Sequence, residues 1–129
     1  MINLSNIPFI TSDQMREVDR TMIEDYGITL IQMMENAGKN LACLAQRLFL
    51  NNREDEVILI LAGRGGNGGG SLVCARYLQN WGYSVKVCLS KPVESLNVVP
   101  LHQFNILQKL GVPVDTFIIS ATSFTFRSW

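Results

Sequence analysis

Apolar and polar positions over the first fifty residues follow a helical rhythm, and twice that rhythm opens with the same signature. Thr11 followed by Gln14 forms a capping box, and Ile10 with Met15 supplies the apolar staple that accompanies it. Met15, Val18, Met22 and Ile23 then share one helix face, and Gly27 suits the C′ position beyond it. Thr29 with Gln32 repeats the box, and Ile28 with Met33 repeats the staple. Leu30, Met33, Met34, Ala37, Leu41, Leu44, Ala45 and Leu48 carry an apolar stripe to about residue 49. The pattern predicts two consecutive capped helices.

The rhythm changes after the polar connection at 51–55. Val57–Ala62 is apolar without alternation, the mark of a strand covered on both faces. Six of the nine positions from Gly63 to Ser71 are glycine. A helix is predicted from about Leu72 to Trp81, ended by Gly82. Val85, Val87 and Leu89 form a second strand, broken by Lys91-Pro92. Pro100 suits a helix start, Leu101, Phe104, Leu107 and Leu110 give its stripe, and Gly111 ends it. Val112 to Ile119 reads as a third strand, with Pro113 at its beginning.

The order is therefore α-α-β-α-β-α-β, one α/β domain over 1–129, with a parallel sheet and flanking helices in the Rossmann-like class. Three parallel strands leave two sheet edges open, whereas doubly wound sheets usually have five or more. The pattern after the third strand, Ser120 to Trp129, has no helical period. The expectation is the front, truncated part of a larger domain.

Composition narrows the function classes. Acidic and basic residues balance at 11 each, and without a basic excess neither nucleic acid nor a membrane surface is an expected partner. No run approaches the roughly 20 residues of a bilayer span, and the N-terminus has neither the basic n-region nor the apolar stretch of a signal peptide, so the expected address is the cytoplasm. Cys43, Cys74 and Cys88 lie far apart inside apolar patterns and read as reduced core thiols.

Candidate chemistry lies in Gly63-Arg-Gly-Gly-Asn-Gly-Gly-Gly-Ser71. A strand, a glycine-rich turn and a helix start present free N–H groups to an anion, and glycine lets a phosphate approach the backbone. Gly63-x-Gly65-x-x-Gly68 fits the dinucleotide fingerprint, but the carboxylate expected about 20 residues later is replaced by Leu89-Ser90-Lys91. No Lys-Ser/Thr follows the glycines, which excludes a P-loop. An ordinary NAD(P) oxidoreductase is disfavoured for the same missing carboxylate. His102, Glu94 and Asp115 read as solvent-facing. Glu35-Asn36, set in the apolar stripe, is expected to bridge the second helix to the loop backbone within a packed interior, the alternative being contact with the loop's ligand.

Taken together, Thr11 to Asp19, Gly27 to Gly38 (with Met-Glu-Asn-Ala-Gly) and Gly63 to Leu78 (ending Leu-Val-Cys-Ala-Arg-Tyr-Leu) resemble the NAD(P)H-hydrate epimerase family, the YjeF N-terminal domain. The resemblance covers roughly 10–118, about the first half of such a domain. It implies an isomerase that interconverts the R and S epimers of hydrated NADH or NADPH in metabolite repair, with a potassium ion as cofactor. It carries substrate contacts onto Gly66, Asn67, Gly68, Gly69 and Gly70, and one metal ligand onto Asn67. The family loop reads Gly-Pro-Gly-Asn-Asn-Gly-Gly-Asp-Gly; here Arg64, Gly66, Gly70 and Ser71 replace its proline, first asparagine, aspartate and last glycine. The family's acid/base aspartate belongs to a later segment, so no catalytic residue is assigned and the chain alone is expected to be impaired. The alternative is a non-catalytic scaffold of the same family, a homodimer indifferent to the dinucleotide.

Overall fold

The computed structural model describes residues 8–50 and 56–116. Contacts within the chain gather into two compact units, Met1–Met33 and Met34–Trp129.

The first unit follows its caps. Helix α1 (Ser12–Glu24) starts at Thr11, whose Oγ1 accepts the Gln14 N–H at 3.2 Å while Gln14 Oε1 accepts the Thr11 N–H at 2.8 Å. Arg20 bridges Glu17 and Glu24, each at 2.7 Å, and its guanidinium holds the Glu17 carboxyl below the usual carboxylate range. These groups are exposed, so the pairs contribute little to stability. Beyond α1 the chain reverses through Gly27 at φ +69°, and the Ile28 N–H donates to the Met22 carbonyl at 2.8 Å. The second box closes the same way: Gln32 Oε1 accepts the Thr29 N–H at 2.8 Å, and Thr29 Oγ1 accepts the Gln32 N–H at 3.4 Å. Both predicted boxes are therefore formed. Ile10 and Met15 of the first predicted staple are exposed.

Helix α2 (Leu30–Ala45) starts at this second box and widens into a π-helical turn, Gln46–Leu50. Its buried line is Met34, Gly38 and Ala42, while Leu41, Leu44 and Leu48 of the predicted stripe stay exposed. The buried positions are spaced four apart, and two of them are small. They permit a close backbone approach that larger stripe residues would prevent.

The second unit holds the sheet: β1 (Val57–Ala62), β2 (Ser84–Leu89) and β3 (Val114–Thr116), parallel and in that order. Helix α3 (Gly66–Asn80) connects β1 to β2, and α4 (Val98–Lys109) connects β2 to β3. Ile58, Ile60 and Ala62 alternate toward a core containing Leu72, Leu78, Val85, Val87, Leu89, Phe104 and Leu107. The predicted fold class is observed: parallel strands joined through helices. The third strand starts at Val114, two residues after the predicted Val112, and its last predicted residues, 117–119, lie outside the described part.

Two details depart from the sequence pattern. Val57, Leu59 and Leu61 are 53%, 44% and 68% exposed, so β1 is covered on one face although its residues are apolar on both. On α4 the buried residues are Pro100, Gln103, Phe104 and Leu107, rotated from the predicted Leu101–Leu110 stripe. Leu110 is exposed, and Gly111 follows at φ +72°.

Candidate functional site

The site grows from the end of β1. The Ala62 carbonyl accepts the Ser90 N–H at 2.9 Å, and the Arg64 carbonyl accepts the Asn97 N–H at 3.1 Å, which ties the glycine turn to the N-cap of α4. Helix α3 then begins at Gly66, six residues before the predicted Leu72, so Gly66, Asn67, Gly68, Gly69 and Gly70 are helical residues and not a loop. Glycine has poor helix propensity, but tertiary contact overrides it here. A Cβ on Gly68 would collide with the backbone of Gly63, 2.8 Å from its nitrogen and nearer to its carbonyl. A Cβ on Gly69 would strike the Met34 sulfur and approach Pro100 Cγ to 3.2 Å. On α2, a Cβ at Gly38 would lie 2.6 Å from the Gly70 carbonyl oxygen and 2.6 Å from Val73 Cγ1. The glycines let the turn fold back on the helix and let α2 meet α3 backbone to backbone.

Gly65 is the N-cap of α3 and makes no side-chain cap hydrogen bond, and the first turn has no acidic residue. The Gly69 N–H donates to the Gly65 carbonyl at 3.0 Å. The N–H groups ahead of it have no intrahelical acceptor and stand at the positive end of the helix dipole. A cavity of about 280 Å³ borders this helix start, lined by Met34, Ala37, Leu41, Gly66, Asn67, Gly70 and Ser71. One wall is apolar and comes from α2. The other is helix backbone with two short polar side chains, and Ser71 Oγ donates to the Asn67 carbonyl at 3.0 Å. Of the five residues expected to contact substrate, Gly66, Asn67 and Gly70 line the cavity, while Gly68 and Gly69 are buried packing positions.

A polar cluster joins α2, α3 and α4. Glu35 of α2 pairs with Arg76 of α3, whose Nη2 donates to Glu35 Oε1 at 2.6 Å and also to Oε2, and Gln103 Nε2 donates to Glu35 Oε1 at 3.1 Å. Glu35 therefore bridges three helices through side chains. It does not bond the glycine-turn backbone as expected, and Asn36 is exposed. The expected bridge to the loop backbone is thus replaced by one between helices, because the Glu35 carboxylate meets the Arg76 and Gln103 side chains. Gln103, 1% exposed, was hidden from the sequence pattern because Leu101, Phe104, Leu107 and Leu110 already make a stripe; its Oε1 and Arg76 Nε have no hydrogen-bond partner. His102 and Glu94 are exposed as expected. Asp115 is half-buried instead of solvent-facing: its Oδ1 accepts the Thr116 N–H at 2.8 Å, and, after burial, its charge is the second cause that raises the neighbouring Cys88 thiol.

Cys74 and Cys88 are buried and Cys43 is half-buried, all three free. Among the described residues no group of three or more His, Cys, Asp or Glu is placed to hold a metal ion, and no helix is long and apolar enough to cross a membrane. For a potassium ion the cavity lining offers the Asn67 side-chain oxygen and the Ser71 hydroxyl. A dehydrated potassium ion needs a shell of several oxygens, so these two groups do not make a complete site.

A glycine-headed helix at the carboxyl end of a parallel strand, beside a half-apolar cavity, places the chain in the Rossmann-like class. Residues 30–123 match the family described as YjeF-related protein N-terminus, and the chain belongs to that family. It is 43% identical over 102 residues to an NAD(P)H-hydrate epimerase of Dehalogenimonas lykanthroporepellens, covering 79% of this chain and 41% of the relative. It is 36% identical over 103 residues to a bifunctional NAD(P)H-hydrate repair enzyme Nnr of Salinibacter ruber, covering 80% and 19%. The crystal structure of yeast ynu0 superposes with a TM-score of 0.74 at 29% identity, covering 85% of this chain and 47% of the yeast chain. The chain thus spans less than half the length of these relatives.

Proposed function

We propose that this chain supplies the nucleotide-binding part of an NAD(P)H-hydrate epimerase, a cytoplasmic repair activity whose substrate is hydrated NADH or NADPH. One observation carries the reading: the uncapped start of α3 opens onto the cavity lined by Gly66, Asn67 and Gly70. A diphosphate placed there accepts hydrogen bonds from the first-turn N–H groups and gains from the helix dipole. The apolar wall of Met34, Ala37 and Leu41 is suited to a ring or ribose edge. Membership of a family whose relatives are named for this substrate supports the same assignment.

Asn67 is proposed as one oxygen ligand of a potassium ion whose remaining ligands come from outside the cavity lining. No reaction step is assigned to the ion. When bound, it would supply positive charge beside the diphosphate. No described residue is assigned as acid or base, so binding, not turnover, is the activity proposed for this chain alone.

The test is thermal denaturation with NADPH-hydrate in potassium or sodium buffer. Ligand binding raises the midpoint through mass action, and the rise is expected to be larger in potassium. Asn67→Ala is expected to keep a ligand-dependent rise and lose the potassium preference. No rise with either cation would sink the binding assignment. A preference that survives in Asn67→Ala would remove Asn67 from the cation site.

A further inference from the structure

Two cations stand at the carboxyl edge of the sheet with no partner. The Ser90 N–H donates to the Ala62 carbonyl at 2.9 Å, and the Asn97 N–H donates to the Arg64 carbonyl at 3.1 Å. Arg64 is two residues beyond the first of these bonds and Lys91 one, about 7 Å and about 4 Å of chain. Their side chains therefore start from neighbouring backbone, beside the turn that leads into α3. Both residues are exposed. Arg16, Arg20 and Arg76 each pair with a carboxylate. Among the described residues, the side chains of Arg64 and Lys91 have neither an ion pair nor a hydrogen bond. Two acids belong to the same edge: Glu94, exposed in the short 3-10 turn Val93–Ser95, and Asp115 of β3, whose Oδ1 accepts the Thr116 N–H at 2.8 Å. Neither pairs with the two cations.

In a dinucleotide-binding sheet, the carboxyl end of the second strand meets the 2′ position of a ribose. A carboxylate there accepts the 2′-hydroxyl and repels a 2′-phosphate, whereas a cation nearby favours the phosphate. Here β2 ends at Leu89, and Ser90-Lys91 follows. The end of the strand thus offers a hydroxyl and an ammonium where a carboxylate would select against phosphate.

We infer that Arg64 and Lys91 form a subsite for a ribose 2′-phosphate, so that hydrated NADPH is bound in preference to hydrated NADH. This rests on the binding assignment proposed above, which puts the diphosphate at the start of α3, one ribose away. A phosphate monoester carries close to two negative charges at neutral pH. Arg64 brings a planar fork of donors to it and Lys91 a mobile ammonium. Both are exposed, so water and salt weaken each contact. The resulting preference is about tenfold in Kd, the combined effect of two exposed charge pairs.

The experiment measures Kd of the 129-residue chain for NADPH-hydrate and for NADH-hydrate by titration calorimetry, in potassium buffer of about 0.15 M ionic strength. NADPH-hydrate is expected to bind about tenfold more tightly. Arg64→Ala and Lys91→Ala are each expected to cut that ratio about threefold, and the double variant to bring it within about twofold of unity. Lys109→Ala is the charge control, because Lys109 ends α4 at the amino edge of the sheet, and it is expected to keep the ratio. Equal Kd values for the two ligands would overturn the inference and leave the binding assignment standing. A double variant that weakens both ligands alike would do the same, since it would give the cations to the diphosphate that both ligands carry. A ratio lost as much in Lys109→Ala as in Lys91→Ala would trace the preference to net charge and sink the subsite. Binding of neither ligand would remove the binding assignment, and the subsite with it.

Discussion

Within one helical turn and a half, two pairs of glycines serve opposite ends. Gly68 and Gly69 keep the glycines of the family loop, and neither has room for a methyl group: the first is pressed on Gly63, the second on Met34 and Pro100. Gly66 and Gly70 stand where the family loop has asparagine and aspartate, and a Cβ at either meets no atom within 4 Å. The retained glycines are required by the packing of the turn. At Gly66 and Gly70 there is space for a side chain, and both border the cavity. In this chain the packing that shapes the turn is thus in place, while Gly66 and Gly70 offer only backbone to the cavity. Backbone amides remain to bind an anion, which is why binding is the part of the activity assigned to it.

The sharpest way to break this comparison is Gly68→Ala. The methyl group has only backbone to displace, so a loss of about 3 kcal/mol is expected from overpacking, read by urea denaturation. A loss below 0.5 kcal/mol, on the order of a neutral surface change, would show that the turn does not need glycine there.

Glu35→Gln comes next. It leaves the Arg76 guanidinium, 17% exposed, facing a neutral amide, and an expected cost of about 2 kcal/mol follows from a half-buried charge losing its partner. Glu35→Asp, which keeps the charge on a shorter arm, is expected to recover part of it. Equal losses in both variants would mean that shape, not charge, holds the three helices.

Helix α3 also carries Cys74, whose thiol burial pushes up to about 11. The unfolded thiol ionises at lower pH than the folded one, so the folded state is favoured while both are protonated and loses that advantage as pH rises through about 11. Denaturant midpoints are expected to fall between pH 8 and pH 10.5, on the order of the window between the two thiol pKa values, and to fall less in Cys74→Ala. Identical slopes would remove Cys74 as the cause.

The smallest effect has the opposite sign. Gly66→Ala and Gly70→Ala place a better helix former where a Cβ is free, and each is expected to stabilise the chain by about 0.5–1 kcal/mol. Destabilisation by either would erase the distinction between the two glycine pairs.

Much of this architecture is written locally in the chain. Both capping boxes, the positions of β1 and β2, and the helix-ending glycines at 27, 82 and 111 follow from short-range rules, because caps, turn glycines and apolar periods act within a few residues. The family signature was equally legible, since the glycine segment and the Leu-Val-x-Ala-Arg continuation lie on contiguous sequence. What depended on distant partners was not. The start of α3 at Gly66, against glycine's propensity, is fixed by Gly63 and Met34. The partners of Glu35 come from α3 and α4, 41 and 68 residues away. Gln103 turns inward because Glu35 is there to accept its hydrogen bond, although its own helix offers a more apolar face one position on. The open face of β1 reverses the reading of its apolar run for a related reason: composition states that both faces need cover, whereas only the assembled sheet shows which face has it. Local chemistry chose the elements, and burial against particular neighbours chose where they begin, which way they face and which polar groups meet.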